Sequence, residues 1–513
     1  MSSGLALERY RLLERVRGYR SGYRLVALLS ALAGGLVLWL VLEPRYVLQR
    51  FLATLLLLSG AFILGQAARL GGGFDLFAPA TIVVGFWGVI YPLRAVFLVL
   101  SGNAASAPFV DPGLILDGMV LALALTIVAL WLFYLSYRQV MGAAELRRLS
   151  RIGLLQRPAE AVSPARLALV YLAGLSVLPL LAEQGAFYHI GRAQNYGSDG
   201  VASQWANLLT LVSNLRLGVL YWWALRACRS RQTGDWFLVG VSIGLELVIG
   251  ALTGSRQAAI LPLLAVLLAM NYQTDRWPIY RRLLAVSWLL PLVLMPLLRL
   301  YREIYGQAYG YSSFSVPQTL AALAQAAGQL LEGYRAHGLR EVLAQTFNRL
   351  IFLDCFVLVV RWVGVYIPYQ MGRTYWLAVV ALVPRVLWPG KPVISLGSWF
   401  AQDFWYSGAN IFNNVPITAL GEGYANWGIM GALVAAVAFG AGTALVYRVL
   451  ILDTRGSPVG VALYLALLPS LLSMESNTGQ NLAAALMGLA VAIVVTRFLL
   501  CERRRSPAGP LDS

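Results

Sequence analysis

Residues 114–136 read LILDGMVLALALTIVALWLFYLS, an almost unbroken run of apolar side chains. A helix rises about 1.5 Å per residue, so about 20 residues cross the roughly 30 Å hydrocarbon core of a bilayer. A run of this length and composition is typical of a transmembrane helix. This stretch therefore decides the class of the fold, because it predicts that the chain crosses a membrane.

Similar runs recur on both sides of this stretch. The 513 residues are 59% hydrophobic and 12% charged, with a mean hydropathy of +0.69, whereas globular proteins are about a quarter charged. This composition excludes an ordinary soluble enzyme, a disordered chain and a disulfide scaffold. We predict an all-α polytopic integral membrane protein of about 12 transmembrane helices. The other predicted crossings lie near 25–42, 47–65, 79–100, 167–182, 206–227, 236–252, 257–270, 283–300, 427–447, 458–473 and 480–499.

Arginine is concentrated in alternate connections between these runs, as the positive-inside rule requires of cytoplasmic loops. The first run follows an arginine-rich stretch and has no small-residue cleavage site, so no cleavable signal peptide is predicted. The net charge of +17 is explained by loops that face anionic lipid and not by nucleic acid. We therefore expect a multi-pass membrane protein with both termini in the cytoplasm. The expected cytoplasmic arginines are Arg69, Arg138, Arg147, Arg148, Arg151, Arg157, Arg166, Arg226, Arg229, Arg231, Arg276, Arg281, Arg282, Arg448, Arg455, Arg503, Arg504 and Arg505.

The segment 301–425 is too long for a plain connection and is expected to be a large periplasmic loop with helices of its own. Residues 317–347 are amphipathic, while 349–366 and 374–388 are apolar but carry charges. Either these two stretches lie in the interface or re-enter as a pair, which gives 12 crossings, or both cross, which gives 14. The first interpretation is preferred because a charge at the centre of a span costs a few kcal/mol.

The predicted organisation follows from these boundaries. It comprises a cytoplasmic segment 1–24, a bundle of about nine helices over 25–300, the periplasmic loop 301–425, transmembrane helices over 426–500 and a cytoplasmic tail 501–513.

Several arginines fall where an anion could bind on the outer side. Arg256 follows Thr253-Gly254-Ser255 at the start of a helix, where exposed amide groups favour an anion. Arg299 and Arg302 are three residues apart and share a helix face, which suits a diphosphate. The alternatives are that Arg256 reaches lipid headgroups and that Arg302 pairs with Glu303 or with a lipid phosphate.

The stretch 383–392, VPRVLWPGKP, is the most specific motif in the sequence. Its three prolines define a turn that places Arg385 on one side and Lys391, the chain's single lysine, on the other. The structural alternative is a Trp/Arg anchor at the membrane interface.

Two carboxylates follow this motif and are candidates for a catalytic base. Asp403 lies within the loop, and Glu422 lies between two glycines in 421–428, GEGYANWG, where the next span is expected to begin. Glu422 could equally be a helix cap, because the helix dipole stabilises a carboxylate there by roughly 0.3–1 kcal/mol. Tyr424 of the same stretch is a further candidate.

Arg216 and Glu246 fall inside predicted spans. Intramembrane charges are functional candidates by default, and the structural alternative is that these two side chains pair with each other. The outer loops contain no Asp-x-Asp pair and the chain has no Walker loop, so no metal site and no cofactor is expected.

In chain order, Thr-Gly-Ser-Arg256, the long outer loop, Pro-Arg385-x-x-Trp-Pro-x-Lys391-Pro and Gly-Glu422-x-Tyr-x-Asn-Trp-Gly resemble the bacterial O-antigen and exopolysaccharide repeat-unit polymerases of the Wzy type. The resemblance covers about residues 250–430. It implies a metal-independent C-type glycosyltransferase that moves a growing glycan from undecaprenyl diphosphate to an incoming lipid-linked repeat unit on the periplasmic face.

With this resemblance, the expected roles are a base at Glu422 or Asp403 and diphosphate binding by Arg256, Arg299, Arg302, Arg385 and Lys391. The expected partners are undecaprenyl diphosphate-linked oligosaccharides, membrane lipids, a chain-length regulator and a flippase, with no nucleic acid. Three alternatives stay open: an O-antigen ligase, a lipid-linked oligosaccharide flippase, which the Arg216/Glu246 pair favours, and a structural membrane protein.

Overall fold

The computed structural model of the chain describes most of its length. The described residues are 46–101, 112–143, 162–183, 212–253, 256–273, 290–309, 315–347, 350–383, 396–405, 417–473 and 477–499, with isolated positions at 34, 35, 39, 145, 146, 148, 155, 209, 210 and 388.

Helices account for nearly all of the described chain. They are α1 (Val47–Leu70), α2 (Pro79–Val83), α3 (Tyr91–Ser101), α4 (Pro112–Gly142), α5 (Pro164–Glu183), α6 (Leu215–Ser230), α7 (Thr233–Leu252), α8 (Arg256–Gln273), α9 (Met295–Tyr309), α10 (Val316–Phe347), α11 (Phe352–Trp362), α12 (Arg373–Leu382), α13 (Leu396–Trp405), α14 (Ala419–Tyr447), α15 (Pro458–Leu472) and α16 (Thr478–Leu499). Short π-helical segments adjoin three of them, at Val84–Ile90, Leu290–Leu294 and Arg448–Leu452. Apart from a single bridge between Val363 and Ile367, the part of the chain that the structure describes has no β structure.

Six stretches of the described chain are long and apolar enough to cross a membrane: Val47–Leu70, Gly113–Gly142, Pro164–Ala182, Thr233–Gly250, Ala419–Leu452 and Asn481–Leu499. Shorter apolar helices accompany them at Pro79–Ala95, Ile260–Gln273 and Pro458–Leu472. Each of these stretches overlaps a predicted crossing, and the chain is an all-α membrane protein. The predicted crossings near 25–42, 206–227 and 283–300 fall partly outside the described residues.

The helices pack into two adjoining hydrophobic cores. In the first core, α1, α11 and α14 lie against α4. In the second core, α5, α7, α8 and α15 surround α6. Helix α14 joins the two, because Ala436 belongs to the first core and Tyr447 to the second. Large apolar side chains such as Phe51, Phe237 and Val494 remain exposed on the outside of the bundle, as a surface in contact with lipid requires.

One end of the bundle is organised around Asp75, in the connection between α1 and α2. Its carboxylate accepts hydrogen bonds of 2.7 Å from the hydroxyls of Tyr272 and Tyr447, at the ends of α8 and α14. Arg448, the next residue, donates to the carbonyl oxygen of Val140 near the end of α4 at 2.6 Å. We call this end the Asp75 face. Four helix ends meet there, those of α1, α4, α8 and α14. This is the arrangement expected when alternate connections lie on one side of a membrane.

The opposite end of the bundle gathers the other helix termini. The backbone amide of Thr478, which begins α16, donates to the Glu422 carboxylate near the start of α14 at 2.6 Å. Arg361, near the end of α11, donates to the carbonyl oxygen of Leu114 near the start of α4 at 3.4 Å. We call this end the Glu422 face.

Helices α11 and α12 are joined by the connection 363–372 at the Glu422 face, but they pack against different partners: α11 against α4 and α14, and α12 against α16. We call α11, this connection and α12 the α11–α12 hairpin, and the connection its tip. The two helices have 11 and 10 residues, so each is roughly 15–17 Å long and too short to cross a bilayer core alone. The ring of Phe352, which begins α11, lies 4.8 Å from that of Phe86 inside the bundle. Helix α11 therefore packs inside the first core with its C-terminal end at the Glu422 face, an arrangement that favours the re-entrant interpretation.

Helices α9 and α10 form a separate layer. Helix α9 continues to Tyr309, past the boundary predicted at 300, and its Tyr301 and Tyr305 pack against Ala322 and Ala326 of α10. The amphipathic helix predicted over 317–347 is present as α10, with a break at Gly338, where φ is 72°.

Candidate functional site

The motif GEGYANWG forms a sharp corner at the Glu422 face. Trp427 (φ −140°, ψ 29°) and Gly428 (φ 62°, ψ −146°) leave the helical range, so α14 consists of two helical segments, 419–426 and 429–447. The segments touch at two glycines, since a Cβ atom on Gly431 would lie 2.0 Å from the carbonyl oxygen of Gly423. Glu422 therefore lies in a short helix before the long span, whereas the sequence predicted that it would open the span itself.

Asn426 attaches this short helix to the tip of the α11–α12 hairpin. Its side-chain oxygen accepts the amide of Gly372 at 2.8 Å, and its side-chain nitrogen donates to the Thr374 hydroxyl at 2.6 Å and to the Glu422 carbonyl oxygen at 2.8 Å. The backbone amide of Gln370 also donates to the Ala425 carbonyl oxygen at 2.8 Å. All polar positions of the fully buried Asn426 side chain are thus used to hold two elements together.

The N-terminal cap of α14 is Thr418 and not Glu422. The Thr418 hydroxyl accepts the backbone amide of Gly421 at 3.2 Å, with φ at 64°, a conformation that residues other than glycine rarely adopt. Glu422 does not serve its own helix, because its carboxylate caps the start of α16 through Thr478. This contact between two helices replaces the intrahelical cap that the sequence suggested.

The two carboxylate oxygens of Glu422 have different surroundings. Oε2 accepts the amide of Thr478 at 2.6 Å, whereas Oε1 is buried and makes no hydrogen bond of good geometry among the described residues, although the hydroxyls of Thr374 and Thr478 lie close to the carboxylate. The side chain as a whole is fully buried. A buried polar atom that lacks a partner costs about 1–3 kcal/mol, so such an atom calls for an explanation in terms of function.

Tyr375 lies close to this carboxylate, and Trp427 lies against Tyr375. Their rings stack with centroids 5.4 Å apart. Burial raises the pKa of the Tyr375 phenol, and the nearby charge of Glu422 raises it further. The Tyr375 side chain is therefore a neutral phenol. The further candidate Tyr424, two residues after Glu422, is largely buried.

A buried ion pair that the sequence analysis missed anchors the hairpin. Arg94 of α3 donates through Nε to Oδ1 of Asp354 at 3.0 Å and through Nη2 to Oδ2 at 2.6 Å. Both side chains are buried, and Asp354 belongs to α11. Arg94 lies within the predicted crossing 79–100, so the rule that singled out Arg216 as an intramembrane charge also applies to Arg94.

Arg299 and Arg302 share α9, as predicted, but the pairing differs from the expected alternative. Nε of Arg299, and not Arg302, donates to Oε1 of Glu303 at 2.7 Å. Nε of Arg302 donates to the carbonyl oxygen of Leu298 at 3.2 Å. The Arg299–Glu303 pair is partly exposed, so it is of low strength and a stronger anionic partner can replace it.

The remaining predicted cations fall where the structure describes little or nothing. Arg256 is the first residue of α8, at a helix start as predicted, but its side chain is outside the described part. Arg385 and Lys391 lie outside the described residues, beyond Val383, which follows α12.

Asp403 has different surroundings from Glu422. It lies on α13, whose Phe400 and Phe404 are fully buried, but its own side chain is exposed. An exposed carboxylate is held less firmly than one enclosed by three helices, so Glu422 remains the first candidate for a base and Asp403 the second.

Arg216 and Glu246 are brought together inside the second core. Nε of Arg216 lies 3.5 Å from Oε1 of Glu246, and both side chains are more than nine-tenths buried. The structural alternative of pairing is thus observed, although the distance is long for a hydrogen bond.

Within the described ranges, no group of three or more His, Cys, Asp or Glu side chains could hold a metal ion. The described residues of the Glu422 face present three kinds of group. They are one carboxylate oxygen of Glu422 that can accept a proton, the hydroxyl groups of Thr374 and Tyr375, and the stacked rings of Tyr375 and Trp427. Such a set can take a proton from a hydroxyl group and pack against a sugar ring. The chain matches no known family model, no curated protein and no solved structure.

Proposed function

We propose that the chain polymerises lipid-linked oligosaccharide repeat units. In this proposal the growing O-antigen or exopolysaccharide chain moves from undecaprenyl diphosphate to an incoming undecaprenyl diphosphate-linked repeat unit. The observation that carries the proposal is the buried Oε1 of Glu422, which makes no hydrogen bond of good geometry among the described residues. A carboxylate held by one oxygen and open at the other is suited to general-base catalysis.

The reaction requires a base and a set of cations. The acceptor hydroxyl oxygen forms a bond to the anomeric carbon of the donor, the bond from that carbon to the diphosphate breaks, and the hydroxyl proton passes to Glu422. The diphosphate leaves with its negative charge and needs charge neutralisation, for which Arg256, Arg299, Arg302, Arg385 and Lys391 are the candidates. Charged hydrogen bonds contribute roughly 1.5–3 kcal/mol each. Direct attack inverts the anomeric centre.

The proposed topology puts the Glu422 face on the periplasmic side of the bacterial inner membrane. The chain then has 12 crossings with both termini in the cytoplasm, and 301–425 forms a periplasmic segment whose helices α11 and α12 re-enter the bundle. The concentration of arginine at the ends that meet on the Asp75 face supports this orientation.

Two other functions use the same substrates. An O-antigen ligase would transfer the finished glycan to lipid A, and a flippase would move the lipid-linked unit across the membrane. The buried Arg216–Glu246 pair in the second core is the observation that favours transport, because intramembrane charges mark transport pathways.

The test is a reconstitution of the purified chain in liposomes with lipid-linked repeat units and without other enzymes. We expect a ladder of polymers on gels, formed in the presence of EDTA. A requirement for a divalent cation would contradict the charge-neutralisation mechanism. Transfer to lipid A without a ladder would indicate a ligase, and movement of labelled lipid between leaflets without any transfer would indicate a flippase.

A further inference from the structure

A second buried polar cluster lies between α5, α6 and α7, and the proposed polymerase does not use it. It consists of Tyr171 of α5, Arg216 of α6 and Glu246 of α7. The side chains of Arg216 and Glu246 are 8% and 4% exposed, and Tyr171 is 6% exposed. These three polar side chains come from three different helices and face one another inside an otherwise apolar core.

The three side chains leave three polar atoms unused. Nε of Arg216 donates to the carbonyl oxygen of Ser213 at 3.0 Å, and its distance of 3.5 Å to Glu246 is too long for a strong hydrogen bond. Nη1 of Arg216 and Oε1 of Glu246 are buried with no hydrogen-bond partner among the described residues, and the Tyr171 hydroxyl, which lies beside Glu246 and Ser242, makes no hydrogen bond of good geometry to either. Three such atoms in one cluster are unusual, because nearly all buried polar groups are hydrogen-bonded.

The backbone of α5 leaves room for the arginine at this point. A Cβ atom at Gly174 would lie 2.5 Å from Cγ of Arg216 and 3.1 Å from its Cδ. Only glycine allows the arginine stem to lie across α5 so closely. The guanidinium is thus held in place by its packing as well as by Ser213.

The chemistry of the three free atoms is complementary to a single hydroxyl group. Nη1 of Arg216 can only donate, the Glu246 oxygen accepts, and the Tyr171 hydroxyl can do either. An oxygen that accepts from the guanidinium and donates to the carboxylate would satisfy both, and Tyr171 would provide a third contact. Buried waters in proteins make about three hydrogen bonds of this kind.

We propose that Arg216, Glu246 and Tyr171 form a binding site for a hydroxyl oxygen. The hydroxyl comes either from an internal water or from a sugar of the glycan substrate. The occupant bridges the long Arg216–Glu246 contact and completes the hydrogen bonding of all three side chains. The site is separate from Glu422, and its existence does not depend on the proposed polymerase activity.

X-ray radiolysis of the purified protein tests the site, because radicals formed from a bound water oxidise the side chains that touch it. Tyr221 is the matched reference. It lies in the same second core, is fully buried, and donates its hydroxyl to the carbonyl oxygen of Pro458 at 3.0 Å. We expect oxidation of Tyr171, measured by mass spectrometry, to be several-fold faster than that of Tyr221.

Substitutions at Arg216 and Glu246 test whether the fast oxidation of Tyr171 depends on this cluster. Oxidation of Tyr171 should fall to the rate of Tyr221 in the double variant Arg216→Met/Glu246→Leu and should persist in Glu246→Gln, which keeps an acceptor oxygen. Equal oxidation of Tyr171 and Tyr221 in the unaltered protein would overturn the proposal, and this comparison does not require any variant to fold. Fast oxidation of Tyr171 that persists in the double variant Arg216→Met/Glu246→Leu would also overturn the proposal.

The source of the hydroxyl is decided by adding the lipid-linked repeat unit. If the occupant is an internal water, the oxidation rate of Tyr171 stays the same. If a sugar hydroxyl displaces the water, the rate drops on addition of the repeat unit and does not drop with undecaprenyl phosphate alone. Both results support the site. Failure of the polymerase assay would leave the radiolysis result in force, so the two proposals can fail separately.

Discussion

At the residue scale, the unequal oxygens of Glu422 are the main feature of the Glu422 face. Oε2 is engaged by the start of α16, and Oε1 is buried and makes no hydrogen bond of good geometry among the described residues. The first contact orients the carboxylate, and the second oxygen remains available for a substrate proton. The same residue thus has a structural and a proposed chemical role, and substitution can separate them.

Glu422→Gln separates these roles because the amide oxygen still accepts a hydrogen bond from Thr478 but cannot take up a proton. If Glu422 is the base, elongation should fall by about 10²–10⁴-fold while the protein remains folded. The measurement is the initial rate of polymer formation, with thermal stability in detergent as the control. Full-length polymer made at a normal rate would move the base to Asp403 or Glu303 and leave Glu422 as the cap of α16.

Arg299 allows a sharper test of the cation set because its partner Glu303 can be removed separately. Arg299→Ala should slow elongation about ten- to hundredfold, since a charged hydrogen bond is worth roughly 1.5–3 kcal/mol. Glu303→Gln removes the competing carboxylate charge and should leave the rate at or above that of the unaltered protein. Equal losses in both variants would indicate that the ion pair matters for α9 and not for the diphosphate. Arg256→Ala and Arg385→Ala should slow elongation in the same way.

At the element scale, two contacts fix the α11–α12 hairpin: one holds α11 in the first core, and the other holds the connection 363–372 against α14. The Arg94–Asp354 pair anchors α11 to α3, and Asn426 joins the hairpin tip to the short helix before the corner in α14. Asn426 also donates to the carbonyl oxygen of Glu422 at 2.8 Å, so the second contact adjoins the candidate base. The hairpin therefore serves as a wall of the candidate site, and its attachment should govern activity.

Removing one partner of the buried ion pair should destabilise the protein far more than removing both. Asp354→Leu removes the carboxylate that faces the buried Arg94 charge, and we expect a loss of about 3–5 kcal/mol of unfolding free energy. The double variant Arg94→Met/Asp354→Leu should recover most of this loss. Denaturation in detergent measures both values. Equal stabilities of the single and the double variant would mean that the pair does not anchor α11.

The corner in α14 depends on close contact between two glycines. Gly431→Ala would put a methyl group 2.0 Å from the carbonyl oxygen of Gly423, and we expect it to cost about 1–3 kcal/mol of stability and to reduce elongation. Gly442→Ala, in the same helix with nothing within 4 Å of the new methyl group, should change stability by less than about 1 kcal/mol. Similar effects of both substitutions on elongation would show that the corner does not position Glu422.

At the scale of the whole molecule, the two faces of the bundle differ in what they gather. The Asp75 face joins helix ends through tyrosine and arginine contacts, whereas the Glu422 face carries the hairpin tip, the corner and the carboxylate. A membrane protein that acts on a substrate at one surface needs this asymmetry. The proposed orientation can be tested directly.

Single cysteines report the orientation in a background that lacks Cys228, Cys355 and Cys501. Gln325→Cys, on an exposed position of α10, should react with an impermeant thiol reagent in intact cells, because 301–425 is expected to face the periplasm. Gln232→Cys, exposed between α6 and α7 at the arginine-rich ends, should react only after the inner face is opened. The reverse pattern would invert the topology and exclude periplasmic polymerisation at Glu422.

The sequence by itself determined the class of the fold and the positions of the six described helices that are long and apolar enough to cross a membrane. Apolar runs such as 114–136 specify helices in lipid because backbone amides and carbonyls must be satisfied within the segment, so length and composition are sufficient information. The alternation of arginine predicted which helix ends share a face, and the ends described here do meet in that way. Glu422 was chosen as a candidate from the sequence, since a carboxylate between two glycines at a helix start is a local signal; its role stays a prediction.

Only the tertiary structure decided what the charged residues contact. The partner of Asp354 is 260 positions away in the chain, and the partner of Glu422 is 56 positions away, so no local pattern could predict either contact. The corner at Gly428, the cap at Thr418 and the short lengths of α11 and α12 likewise depend on packing between helices. Hydropathy reports how each segment interacts with lipid, but it carries no information about which polar side chains meet, because that is decided by the way the helices pack against one another.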